Sequence, residues 1–389
     1  MAQRYDGPPG DRPDDDRDAP GADSSADPGT GAGTGTRAGT KPRPGSRNGP
    51  RTGFAAEARN AVSVRAALLV LGVLALQIAF ITSYVGAFHD PTPHRIPLAV
   101  TSVSPQAVDQ SLYRLNRLPG EPLDPRAAAD EATARRQIMN REVDGALVID
   151  PRAGADRLLV AGGSGSSLAQ ALTAVVTEAE AAEGRRVRVV DVVPEAPGDA
   201  RGLSSFYLVV GWCVGGYLCA AILAISAGAR PANGSRALIR LGVLLLYSIA
   251  AGLLGTVVAG PVLDALPGSV WALWGLGTLL VFAVGALTLA LQGLAGIVGI
   301  GLAILVVVVA GNPSAGGAYP YPLLPPFWRE IGPALPPGAG TWTARSIAYF
   351  RGNAAAGPMW VLAAWAVGGA AVTMALALLR GRGRSGART

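Results

Sequence analysis

The chain has 389 residues, half of them hydrophobic and 15% charged, with a mean hydropathy of +0.33, which is too apolar for a purely soluble protein. Its net charge of +6 is not laid out as a basic stripe interleaved with aromatics, which argues against nucleic-acid binding. Cys213 and Cys219 lie within one apolar stretch at a spacing that diverges on a helix, so they read as packing residues and not as a disulfide.

Residues 1–53 are rich in Gly, Pro, Asp, Arg and Thr with few large apolar side chains, the composition of a disordered tail. The tail is acidic at first and basic towards the membrane, through Arg37, Lys41, Arg43, Arg47 and Arg51. Residues 54–87 follow as a short interfacial helix, or simply a helix start, and a first span from about Ala66 to Val85. The apolar region begins too late for a signal peptide, so the span is read as retained.

The next apolar region begins only near Ser205, and residues 88–204 have the character of a globular α/β domain. The pattern predicts a strand at Ile96 to Val103, helices at Pro105 to Leu115 and Asp124 to Arg141, and strands at Ala146 to Ile149 and Arg157 to Val160. A helix at Ser167 to Glu183, burying Leu168, Leu172, Val175 and Val176, and a strand at Arg186 to Val192 complete it.

Residues 205–311 hold further spans at Phe206 to Ala227, Leu241 to Val262, Val270 to Leu291 and Leu294 to Ala310, and residues 358–389 a last span to Leu379 and a basic tail. Only Gln292 and Gly293 separate two of these, which requires a tight hairpin or a bent helix. The fold class expected is a polytopic α-helical membrane protein of about six spans, with an extracytoplasmic α/β domain between the first and second. With six spans, Arg51, Arg59 and Arg65, then Arg230, Arg236 and Arg240, then Arg380, Arg382, Arg384 and Arg388 fall on one side, so both termini are cytoplasmic in a multi-pass cell-membrane protein. Residues 312–357, an extracytoplasmic loop broken by prolines, carry Arg329, Arg345 and Arg351 against Glu330 alone. They are expected to dip into the interface or to cap the bundle as irregular backbone.

Self-contained chemistry is not indicated, and the chain is read as no enzyme and as holding no cofactor. Lys41 is the only lysine and lacks a phosphate-cradling loop. His89, Asp90 and His94 are interrupted by Pro91 and Pro93 and do not space like metal ligands. Gly163-Ser164-Gly165 reads as a turn before a helix, not as a nucleophile elbow. Gly211 and Gly215 form a G-x-x-x-G pair, read as internal packing ahead of a dimer seam. Charged residues are absent from the apolar spans, which argues against a proton-coupled pump.

Two passages carry a family resemblance: SYVGAFHDPTPHRIPLAV from Ser83 to Val100, and GNPSAGGAYPYPLLPPFWREIGPALPPGAGTWTARSIAYF from Gly311 to Phe350. They resemble the permeases of type-2 ABC exporters, in particular the phage-infection-protein-like branch, and the layout from Ala66 to Leu379 is similar too. The resemblance implies a permease half that forms a homodimer or heterodimer, sits in membrane lipid, couples to a separate cytoplasmic ATPase subunit and exports hydrophobic or amphipathic molecules. It places candidate ATPase-coupling positions at Phe54 to Val64 and at Arg230 and Arg236, and a candidate gate loop at Asn312, Pro313, Phe327 and Trp328. The alternative is a non-transporting scaffold or receptor whose outer domain binds a wall, phage or protein partner.

Overall fold

A computed structural model describes residues 63–228 and 230–386. The expected tail and most of the interfacial helix therefore lie outside the described residues. A first helix, α1 (Val64–Phe88), leads to a sheet domain, and four long apolar helices follow: α5 (Ser204–Ala227), α6 (Gly234–Val257), α7 (Val270–Ala295) and α11 (Ala356–Gly386). With α1 they make five helices long and apolar enough to cross a membrane, so the chain is a polytopic helical membrane protein carrying a small sheet.

The sheet domain runs β1 (Ile96–Ser102), α2 (Pro105–Leu115), β2 (Leu123–Ala127), α3 (Glu131–Met139), β3 (Gly145–Ile149), β4 (Ala155–Val160), α4 (Ser166–Ala181) and β5 (Arg186–Asp191). The single long helix expected from Asp124 to Arg141 is a strand followed by a shorter helix. Pro125 belongs to β2, which a sheet tolerates because β2 is an edge strand, and Asp130 caps α3 by accepting the Thr133 amide at 2.7 Å. Strand order is β2-β1-β3-β4-β5, with β3 and β4 antiparallel and the other neighbours parallel. One sheet face carries Ile96, Leu98, Val100 and Leu147 under α2 and α4, and the other Ala99 and Ala146 under α3.

That one antiparallel step decides where the domain opens. Because β4 and β5 run against β1, the chain leaves β5 at the end of the sheet where it entered β1, and both α1 and α5 attach there. This end of the sheet faces the helices.

Among the helices α7 is central, packing against α5, α6 and α11. Backbones approach closely at glycines: a Cβ on Gly216 would lie 2.7 Å from Val281 O, and one on Gly369 would lie 2.6 Å from Ala286 C. The expected Gly211/Gly215 pair contributes less. Gly215 abuts the Tyr247 hydroxyl of α6, whereas Gly211 faces open space.

After α7 the chain reverses at once. Gly296 adopts φ +65°, a left-handed value that glycine takes without strain, and α8 (Val298–Ile304) returns alongside α7. The continuous span expected from Leu294 to Ala310 is instead this short helix widened into a π turn over Leu305–Gly311, where the Ser83 hydroxyl donates to Val309 O. The proline-rich segment after it is not irregular as expected. It folds into α9 (Pro326–Ile331) and α10 (Pro336–Tyr349), each opening with prolines in its first turn, where a missing N–H leaves no bond unmade.

Candidate functional site

The segment from Asn312 to Phe350, a cap segment, lies against that end of the sheet, and α10 joins the two halves of the molecule. Ala339 and Ala344 belong to the apolar core shared by α5, α7 and α11, while Tyr349 and Phe350 belong to the core under the sheet. A Cβ on Gly163 would strike Tyr349 at 2.6 Å, so backbone beyond the end of β4 sits directly on α10. Sheet and helices form one compact unit.

Between them lies a cavity of about 500 Å³, lined from the sheet side by His94, Arg95, Arg141 and Asp144 and from the cap segment by Tyr321, Arg329, Trp342 and Arg345. Asp144 and Arg95 stand where β3 and β1 begin, so the cavity is at the amino ends of these strands. Arg141 and Arg95 both hold left-handed backbone, φ +59° and +50°. Glycine or asparagine would take that conformation at lower cost, so the side chain and not the turn accounts for arginine there.

Arg141 lies flat over Trp342, 3.5 Å from the ring centroid, and donates through Nη1 to Trp342 O and to Ser346 Oγ, both at 2.9 Å. Trp342 stacks on Tyr321 with the rings 14° apart. Arg345 is buried and donates to three carbonyls, Gly316 O at 2.6 Å, Gly317 O at 2.7 Å and Gly202 O at 3.2 Å, tying the cap to the start of α5. Its Nε and the Tyr321 hydroxyl are buried without a partner. Behind it, the buried Tyr349 hydroxyl donates to Asp199.

These charges are poorly compensated. Burial, and then the proximity of Arg345, pulls Arg141 down to about 9; burial pulls Arg345 down to about 10 against the pull of Asp199. Burial pushes Asp144 up to about 6 although Arg141 opposes it, and pushes the Tyr321 hydroxyl up as well. Arg141 and Asp144 make no salt bridge among the described residues, and both keep some surface because it faces the cavity.

The opposite ends of the helices are built differently. Arg240 donates to Ala227 O and Gly228 O at 2.7 Å, Arg230 to Leu294 O at 3.0 Å, and Arg380 to Gly293 O. The carboxyl ends of α5 and α7 thus have their free carbonyls capped by arginine. Gln292, buried one turn before the end of α7, donates to Ala220 O at 3.2 Å. Arg230 therefore engages its guanidinium within the chain, while the Arg236 side chain stays exposed on the first turn of α6.

Of the gate-loop residues, Asn312 and Pro313 are buried just beyond the π turn, and Phe327 and Trp328 lie on α9 with Phe327 exposed. His89 caps the end of α1 and His94 lines the cavity. Among the described residues no three His, Cys, Asp or Glu side chains converge as metal ligands would. Ser164 is buried in the turn before α4, as the glycines around it suggest. The sequence reading missed Arg141, Asp144 and Tyr321 as site residues. For Arg329 and Arg345 a signal existed, as cations in an apolar segment that runs against the charge rule for membrane loops.

A second, mostly apolar hollow of about 530 Å³ opens between α5 and α6, lined chiefly by Tyr207, Gly211, Trp212, Tyr247, Leu254 and Gly255. It extends to Leu263 and Ala265, beyond the end of α6 on the side of the sheet domain. No protein-family model matches the chain, and neither the curated proteins nor the solved structures searched contain a match.

Proposed function

We propose that the protein is the permease subunit of an ABC-type exporter, moving a hydrophobic or amphipathic molecule across the cytoplasmic membrane with a separate ATPase. The observation that carries this reading is α10, whose two ends belong to the helix core and to the sheet core, so that a shift in one is felt in the other. An anchored binding domain has no need of such a shared helix.

The route suits an apolar cargo. Ser248, Thr256, Thr288 and Thr373, buried in the bundle, each bond the carbonyl four residues back and offer no hydrophilic path. The apolar hollow between α5 and α6, open to lipid, supplies a lateral one.

In this reading α8 with its π turn counts as the sixth crossing, since it begins beside Arg230 and ends beside Ser83. Both termini and the arginine-capped helix ends face the cytoplasm, where Arg236 is free to meet the ATPase, and the sheet domain faces outward. Only 6% of the most apolar stretch of α1 is buried, against 56% for α7, which leaves α1 a surface for a second permease half or for lipid.

The same absence of a polar path favours the second reading, a scaffold or receptor whose outer domain binds a partner. Purification of the tagged chain in mild detergent separates the two. A stoichiometric nucleotide-binding subunit with ATPase activity in the eluate is the expected result, and its absence alongside wall or envelope proteins would sink the permease reading.

A further inference from the structure

We infer that the cavity under the cap segment binds the phosphate headgroup of an amphiphile that enters from the membrane surface. This names a chemical class for the exported molecule, and rests on the permease reading for that use alone.

Charge comes first. The lining holds four arginines, Arg95, Arg141, Arg329 and Arg345, against two carboxylates, Glu142 and Asp144, an excess of two positive charges before His94 is counted. A dianionic group matches that excess, and guanidinium forks suit phosphate oxygens geometrically. The arginines are not consumed by one another or by acids: among the described residues Arg95 and Arg329 make no ion pair, and Arg345 keeps its buried Nε unpaired. The buried Tyr321 hydroxyl on the same lining is a further donor without an acceptor. A donor buried without a partner is costly, and an anion held in the cavity would offer these two an acceptor.

Position supplies the second argument. At His94 and Arg329 the cavity borders a cleft of about 400 Å³ that reaches His89, the residue capping α1. The end of a membrane-spanning helix marks the level of the lipid headgroups. Trp328, packed edge-on against the exposed Phe327 on α9, is an aromatic of the kind that sits at that level. A headgroup can therefore pass from the membrane surface along Arg329 into the cavity while its chains remain in lipid.

Isothermal titration of the full chain in a neutral detergent tests this with dihexanoylphosphatidic acid, dihexanoylphosphatidylcholine and inorganic phosphate at pH 7.5. The phosphatidic acid should bind and the zwitterionic lipid should not. Arg329→Gln, a partly exposed side chain that holds no other element, should weaken binding about tenfold, the worth of one charge-assisted contact. Asp144→Asn should tighten it severalfold, and a misfolded variant cannot mimic a gain. No binding of the phosphatidic acid, or equal affinity in wild type and both variants, overturns the site. Inorganic phosphate binding as tightly as the lipid assigns the pocket to the free ion and overturns the amphiphile. The two readings fail separately: binding without any ATPase partner leaves the site standing, and an ATPase partner without binding leaves the permease.

Discussion

Helices α1 and α10 reverse the usual relation between hydropathy and burial. The α1 stretch from Ala66 to Phe88 has a mean hydropathy of 2.3, yet Leu68, Val70, Leu71 and Val73 are all exposed along it and its main tie to the body is the π turn. In α10, a helix that opens on Pro336-Pro337-Gly338 and carries Thr341, Thr343, Arg345 and Ser346, nearly every residue is buried. Apolar character measures partition out of water, and lipid serves that as well as protein does. Two apolar cores hold α10, one at Ala339 and Ala344 and the other at Tyr349. Its polar groups can follow them inside because its threonines bond carbonyls one turn back and its arginine reaches backbone on two other segments.

The largest effect that would break this comparison lies in α10. Arg345→Ala removes the partner of three carbonyls and should destabilise the fold by about 3 kcal/mol, seen as a lowered Tm in detergent. An unchanged Tm would mean that α10 is held by apolar contact alone.

A smaller effect lies in the charged layer beneath α10. Burial raises the Asp144 pKa to about 6, above its unfolded value of about 4. The destabilisation is thus present in full above pH 6 and disappears as pH falls towards 4. Asp144→Asn should raise the Tm at pH 7.5 by the equivalent of up to about 2.7 kcal/mol, at about 1.4 kcal/mol for each pH unit between the two values, and leave it unchanged at pH 4. A gain of equal size at both values would locate the effect in packing and not in charge.

The smallest effect is expected in α1. Leu71→Ala should change monomer stability by less than about 0.5 kcal/mol, because the side chain is 59% exposed. If the same change dissociates a dimer on a sizing column, the unpacked face is a subunit seam and the contrast with α10 holds only for the isolated chain.

Much of the architecture was legible beforehand, and each success has a local cause. Helix α2 matches its expected bounds because Pro105 opens it and its apolar face repeats at helical spacing. The reversal after α7 was signalled by the short gap at Gln292-Gly293, although its pivot is Gly296. The strand at Leu123–Ala127 was missed because its pairing with β1 lies outside its own residues, and Asp-Pro-Arg-Ala-Ala carries no strand pattern.

What the amino-acid order determined by itself was composition along the chain: which segments are long and apolar enough to cross a membrane, which carry the pattern of a sheet domain, and where the basic residues gather, since each depends on one contiguous stretch. Only the tertiary structure decided that Arg141 and Asp144, at the base of a sheet, meet Tyr321, Trp342 and Arg345 from a proline-rich segment far along the chain. That meeting depends on the antiparallel step between β3 and β4, which returns the chain to the end of the sheet it came from. It depends also on buried hydrogen bonds whose partners lie more than a hundred residues apart, and no local window of sequence contains both ends of such a bond.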